Sequence, residues 1–229
     1  MTNPILICGA ARSGTSLVAG IFNACGAFGG TMDGPQVNNP RGMFENTSIR
    51  RNMVKPFLVS IGADKRGQRP LPDIARVHAV SAGMADDWRE RVLAVLRGEG
   101  YTSGPWFYKC AKMCLMWPLW AAAFPEARWI IVRRPDQDII ESCMRATFMR
   151  AYKSDHGWQY WLDEHKKRLR ELYEAGLSTS IVWSDWVAAG DFLNIRHAIE
   201  SCELTWDEEA VKEFVDPGLY HLRGEVLRA

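Results

Sequence analysis

Hydrophobic positions in this 229-residue chain gather into four short apolar runs, 4–8, 106–110, 128–133 and 179–183, each followed by a stretch of helical period. Runs of that length bounded by turn residues predict buried strands, and their alternation with helices predicts a parallel sheet with helices on both faces. The first helix is predicted from Thr15, with Leu17, Val18, Ile21 and Phe22 at core spacing, and ends before Gly26. The period predicts a second helix over 74–96, stopped at Arg97-Gly98-Glu99-Gly100, and a third, strongly charged, over 156–175, stopped at Gly176. Gly, Pro and Asn concentrate in 27–45, and a second irregular stretch spans 64–73, so both are expected as loops that shape a pocket. No repeat, low-complexity tract or linker divides the chain. It reads as one α/β domain over 1–229, a three-layer α/β/α arrangement with a central parallel sheet, whose sites gather at the carboxyl ends of the strands.

The first run leads into Gly9-Ala-Ala-Arg12-Ser13-Gly14-Thr15-Ser16. Gly9 and Gly14 stand at the spacing of a Walker A loop, GxxxxGK[ST], but Thr15 occupies the lysine position and the cation comes earlier, at Arg12. Backbone N–H groups from Ser13 to Ser16 are expected to face an anion, with added positive potential from the helix N-terminus. The segment therefore reads as a P-loop-like cradle for phosphate or sulfate. Thr15, and the lack of a Walker B aspartate after an apolar run, disfavour a nucleotide or small-molecule kinase.

Arg-Ser-Gly-Thr-Ser after a short strand resembles the 5′-phosphosulfate loop, (K/R)SGT(T/S), of sulfotransferases that use 3′-phosphoadenosine 5′-phosphosulfate (PAPS). The segment 128–142, an apolar strand ending in Arg133 and followed by Pro135 and a helix carrying Ser142, is similar to that family's 3′-phosphate segment. Ser142 lies nine positions after Arg133, where the family pattern has eight, which leaves Arg134 as a rival. Asn39-Pro-Arg-Gly-Met-Phe-Glu45-Asn46 is similar to the N-P-K-G-x-F-E-[ND] segment of small bacterial-type sulfotransferases. Residues 106–120 resemble their W-x-x-K-D-P-R-L-x-x-x-x-P-x-W element, with Cys110-Ala111 in place of Asp-Pro and Lys112 in place of the arginine. The stretch 214–223 resembles the F-[IV]-D-P-x-L-x-x-x-R tail.

The resemblance implies transfer of a sulfuryl group from PAPS to an acceptor hydroxyl, or an amine, on a sugar, small metabolite or peptide tyrosine. A non-catalytic nucleotide-binding protein that keeps the cradle is the alternative from another class. Arg12 is expected beside the bridging oxygen, stabilising charge on the departing 3′,5′-phosphoadenosine, while Ser13, Gly14, Thr15 and Ser16 hold the 5′-phosphate. Arg133 and Ser142 are expected on the 3′-phosphate. Lys112, with Lys109, would add positive potential near the sulfuryl group, and Arg223 either reaches the cofactor or lies on the surface. Glu45 is the candidate general base; its other role is to cap or flank the helix that follows. His78 and His156 are reserve bases, and Trp106, Trp158 and Trp161 are the tryptophans expected near a pocket.

Composition narrows the remaining classes. A net charge of +1 offers no global field for nucleic acid or a membrane surface, so any anion site is a local cluster. The N-terminus lacks a basic segment with a long apolar continuation and no apolar stretch approaches a bilayer's thickness, so the expectation is a cytoplasmic protein. Six cysteines without CxxC pairing are expected as reduced, mostly buried thiols, and five histidines without metal-ligand spacing give no metal site.

Overall fold

The computed structural model describes residues 4–36 and 39–219. The apolar runs form β1 (Ile5–Cys8), β2 (Phe107–Lys109), β3 (Arg128–Arg133) and β4 (Ser178–Trp183), all parallel, in the order β2-β1-β3-β4. Alternate residues of one strand supply two different cores, as the period of 2 requires. Ile5 and Ile7 pack with Ile130 and Val132 on one face, while Leu6 and Cys8 pack with Trp129 and Ile131 on the other.

Helices cover both faces. They are α1 (Thr15–Ala24), α2 (Thr47–Ile49), α3 (Lys55–Ser60), α4 (Ile74–Gly98), α5 (Trp117–Ala123), α6 (Asp136–Arg145), α7 (Asp155–Glu174), α8 (Ser184–Ala188), α9 (Leu193–Ser201) and α10 (Glu208–Phe214). A π turn, Arg50–Val54, joins α2 to α3, and a 3-10 turn, Ala111–Met116, joins β2 to α5. The face of Ile5 is covered by α1, α8, α9 and α10, and the face of Leu6 by α2 to α5 with the end of α7. A third cluster joins α6 to the start of α7 through Ile139, Ile140, Trp158 and Trp161.

Local chemistry explains the predicted helices. Asp73 caps α4 by accepting from the Ala75 N–H at 3.0 Å, and Ser154 caps α7 by accepting from Gly157 N–H at 3.3 Å. The segment 47–60 carries no strong period of its own, and its helical conformation comes from packing Ile49, Met53, Val54, Phe57 and Leu58 into the core under β1 and β2. All six cysteines are buried and free. No helix among the described residues is long and apolar enough to cross a membrane.

The strand order places the site. β1 lies between β2 and β3, so the loop after β1 emerges flanked by the carboxyl ends of both neighbours. Gly9 makes that loop possible, because a Cβ there would fall 2.6 Å from the Val132 carbonyl oxygen and 2.7 Å from Ser13 Oγ.

Candidate active site

The loop turns on two left-handed residues, Arg12 at φ 72° and Gly14 at φ 86°. Glycine reaches that region freely, whereas an arginine there is uncommon and is held by its surroundings. Arg12 Nε donates to Ser142 Oγ at 2.9 Å, so the loop after β1 is tied to α6, which follows β3. The first-turn N–H groups of α1, from Thr15 onward, have no partner inside the helix and open at the end where the macrodipole is positive. Ser13 departs from its expected role. Its N–H donates to the Ala10 carbonyl at 3.2 Å and its side chain is buried beneath the loop, because the turn at Arg12 folds this residue inward.

Ser16 Oγ is a junction. It donates to the Met43 carbonyl at 3.2 Å and accepts from Asn39 Nδ2 at 2.9 Å and from Lys109 Nζ at 3.1 Å. Lys109, the last residue of β2, also donates to the Met43 carbonyl at 3.0 Å and stands 3.4 Å from Glu45 Oε1. Glu45 is buried, and Arg50 Nε at 3.4 Å and Lys112 Nζ at 3.8 Å complete its cationic shell. Burial pushes the Glu45 carboxyl up, but Lys112, Lys109 and Arg50 together outweigh it and hold its pKa below the ordinary carboxylate value. Burial likewise lowers the Lys109 ammonium, with Glu45 opposing the shift. The helix-capping alternative belongs to the next residue: Asn46 Oδ1 accepts from the Ile49 N–H at 3.0 Å, while Asn46 Nδ2 donates to Glu99 Oε2 at 2.6 Å. Glu45 is thereby left to turn inward.

A cavity of about 730 Å³ gathers these groups, with Arg12, Gly14, Thr15, Ser16, Glu45, Lys109, Lys112, Arg134 and Ser142 in its wall. Arg133 does not line it; the Arg133 guanidinium lies over the Trp183 ring, 5.5 Å from its centroid. Arg134 does, buried beside Asp138 at 3.7 Å with its Nη1 3.5 Å from the Arg12 carbonyl. Counted from Arg134, Ser142 is eight positions on. The volume falls within the roughly 300–1,000 Å³ typical of ligand sites, and a cationic wall next to the first-turn N–H groups of α1 suits a polyanionic ligand.

A sulfotransferase family model matches residues 4–198. The chain belongs to the sulfotransferase family. No curated protein matches it in sequence. Among solved structures, a sulfotransferase from Mycobacterium avium aligns with TM-score 0.54 and 14% identity over 99% of this chain and 74% of its own. The sulfotransferase domain of the Synechococcus olefin synthase aligns with TM-score 0.54 and 14% identity over 95% of this chain and 86% of its own. At that identity the two structures support the fold: a central parallel sheet flanked by helices.

Within this sulfotransferase chain the remaining expected residues are dispersed. His78 stands edge-on to Trp117, with ring centroids 5.4 Å apart, and neither His78 nor His156 lines the cavity. Trp161 lines it and donates Nε1–H to the Gly67 carbonyl at 2.9 Å, whereas Trp106 and Trp158 are core. Arg223 lies outside the described residues. The structure adds His165, buried in the cavity wall, whose Nδ1 pairs with the Trp161 carbonyl at 2.8 Å. A carbonyl only accepts, so Nδ1 carries the proton and Nε2 is the acceptor. Burial lowers its pKa to about 4, leaving the ring neutral near pH 7. Asp33, Asn39, Arg50 and Lys109 also enter the site; of these, Asn39 carried a sequence signal as the start of the Asn-Pro segment and Lys109 as the end of its strand, whereas Asp33 and Arg50 carried none.

Proposed function

We propose that the protein transfers a sulfuryl group from PAPS to an acceptor hydroxyl. The donor supplies an activated sulfuryl group: the acceptor oxygen forms a bond to sulfur as the bond from sulfur to the 5′-phosphate bridging oxygen breaks. The observation that carries this reading is the 2.9 Å contact between Arg12 and Ser142, which unites the cradle after β1 with the segment after β3 in one cavity that also holds Glu45.

In this reading the N–H groups of the first turn of α1, that of Ser16 among them, and the Thr15 hydroxyl hold the 5′-phosphate, while the Ser16 hydroxyl stays committed to Met43, Asn39 and Lys109, and Arg12 stabilises charge on the departing oxygen. Arg134, rather than Arg133, pairs with the 3′-phosphate beside Ser142. Lys109 and Lys112 stabilise charge on the sulfuryl oxygens. Glu45, ionised at neutral pH, accepts the acceptor's proton as the new bond forms. Its depressed pKa makes it a weak base toward a resting hydroxyl, so proton transfer falls late, when the attacking oxygen is already acidified by bonding to sulfur.

Thermal unfolding with a ligand panel tests the donor. A ligand at a hundredfold over its Kd stabilises the native state by about 2.7 kcal/mol. The expected result is a rise in Tm with 3′,5′-phosphoadenosine that exceeds the rise with ATP, with or without magnesium. A magnesium-dependent ATP response with none to the bisphosphate overturns the reading.

A further inference from the structure

Past Glu45, the cavity wall is built from cations that the sulfuryl transfer does not employ. The π turn Arg50–Val54 is closed by the Lys55 N–H donating to the Arg50 carbonyl. In an α-helix residues five apart point about 140° away from each other. The wider π turn returns them toward one side, and Arg50 and Lys55 both line the cavity. Arg66 lines it as well, from the loop whose next residue packs on Lys112: a Cβ at Gly67 would fall 3.0 Å from Lys112 Cγ. Lys55 further borders a shallow outer groove with Arg51 and Lys65, so the cationic surface continues outward from the mouth.

The local charge is lopsided. Among the described residues nine cationic side chains and three carboxylates line the cavity, in a chain whose net charge is +1. Arg12 and Arg134 flank the phosphate cradle, Arg50 is paired with Asp33 and Glu45, and Lys109 and Lys112 share Glu45. Among the described residues no carboxylate stands within 4.0 Å of Lys55 or Arg66. Burial first, and then the like charges of Arg50 and Lys112, hold the Lys55 pKa below the ordinary lysine value, which Glu45 does not offset. Lys55 is half-buried and Arg66 is exposed, so the cluster concentrates positive potential at the entrance of the cavity and draws an incoming anion there.

We propose that the acceptor carries an anionic group of its own, a carboxylate, sulfate or phosphate near the reacting hydroxyl, held by Lys55 and Arg66. The proposal rests on the sulfotransferase reading above. Lys55 and Arg66 orient the acceptor, while Glu45, behind them, faces its hydroxyl.

Matched acceptor pairs test it: glucuronic acid against glucose, glycerol 3-phosphate against glycerol, and 4-hydroxybenzoate against 4-hydroxybenzyl alcohol. The Kd of each is measured by calorimetry on protein saturated with 3′,5′-phosphoadenosine, so that the donor's cations are already occupied. In at least one pair the anionic member is expected to bind about tenfold tighter or better, the factor that one charge-assisted contact supplies. K55Q/R66Q is expected to cut that preference below about threefold while the Kd for 3′,5′-phosphoadenosine stays within about twofold. The pair that responds distinguishes a carboxylate from a phosphate. Equal or weaker binding of the anionic member in every pair, absence of binding included, overturns the proposal, as does a preference that survives in the double variant. Failure of the bisphosphate to bind the unmodified protein overturns the sulfotransferase reading, and this inference with it.

Discussion

Replacing Glu45 by glutamine removes the one carboxylate that Lys109, Lys112 and Arg50 share while keeping its shape. The carboxylate stands 3.4 Å from Lys109, 3.4 Å from Arg50 and 3.8 Å from Lys112. At an effective dielectric of about 20, each such pair attracts by roughly 4–5 kcal/mol before the cost of dehydrating the charges is counted. That cost cancels most of the attraction, so the measurable effect is the penalty on cations left behind, about 3–5 kcal/mol when one partner of a buried pair is removed. The lower end applies here. Arg50 keeps Asp33, Lys109 keeps Ser16 and the Met43 carbonyl, and Lys112 keeps part of its hydration, with 13% of its side chain exposed. E45Q is therefore expected to lose about 3 kcal/mol, a fall in Tm of about 6–12 °C for a chain of this size. As the proposed base, Glu45 should also take about two to four orders of magnitude of kcat with it. Calorimetric unfolding and release of 3′,5′-phosphoadenosine from PAPS read the two effects. The double variant E45Q/K109M separates them: removing both partners should recover about 1 kcal/mol or more relative to E45Q, with no return of activity. A Tm within about 2 °C of the unmodified protein would refute the charge accounting. An unchanged kcat would remove Glu45 from the chemistry.

Two further outcomes follow from the geometry. R134A should weaken 3′,5′-phosphoadenosine by about 1.5–3 kcal/mol, the scale of a charged hydrogen bond, and barely change adenosine 5′-monophosphate. R133A, whose guanidinium lies over Trp183, is the matched control, and a selective loss in R133A alone would reverse the assignment. His165 has its pKa lowered from 6.5 to about 4, so its contribution is fully present above pH 6.5 and is lost as the pH falls toward 4, where the unfolded chain binds a proton that the folded one refuses. That slope amounts to roughly 3 kcal/mol, and H165Q should flatten it in urea titrations across the window; an unchanged slope would show that other groups carry it.

The strands, the first helix and the cradle were legible in the sequence because their signals are local. An apolar run closed by Gly9, a second glycine at 14 and the period of Leu17, Val18, Ile21 and Phe22 need only neighbouring residues to be read. The resemblance singled out Arg12, Ser142 and Glu45 on three separate segments, and the structure brings all three to one cavity. What the chain pattern left open was which way a side chain turns. β3 is buried on both faces, so its alternation does not say whether Arg133 or Arg134 meets the cavity; the packing of β3 between β1 and β4 decides that. Ser13 looked like a cradle residue until the left-handed turn at Arg12 folded it under the loop. Lys109 and Ser16 are 93 residues apart, and Glu99 and Asn46 are 53 apart. No local period encodes such contacts. They exist because the parallel sheet sets β2 beside β1 and α4 returns the chain to the loop that carries Glu45. The sequence alone determined a parallel α/β sheet with a glycine-bounded, P-loop-like turn after its first strand; the tertiary structure decided which cations surround the carboxylate, since burial and charge pairing are settled only when distant segments share one dry space.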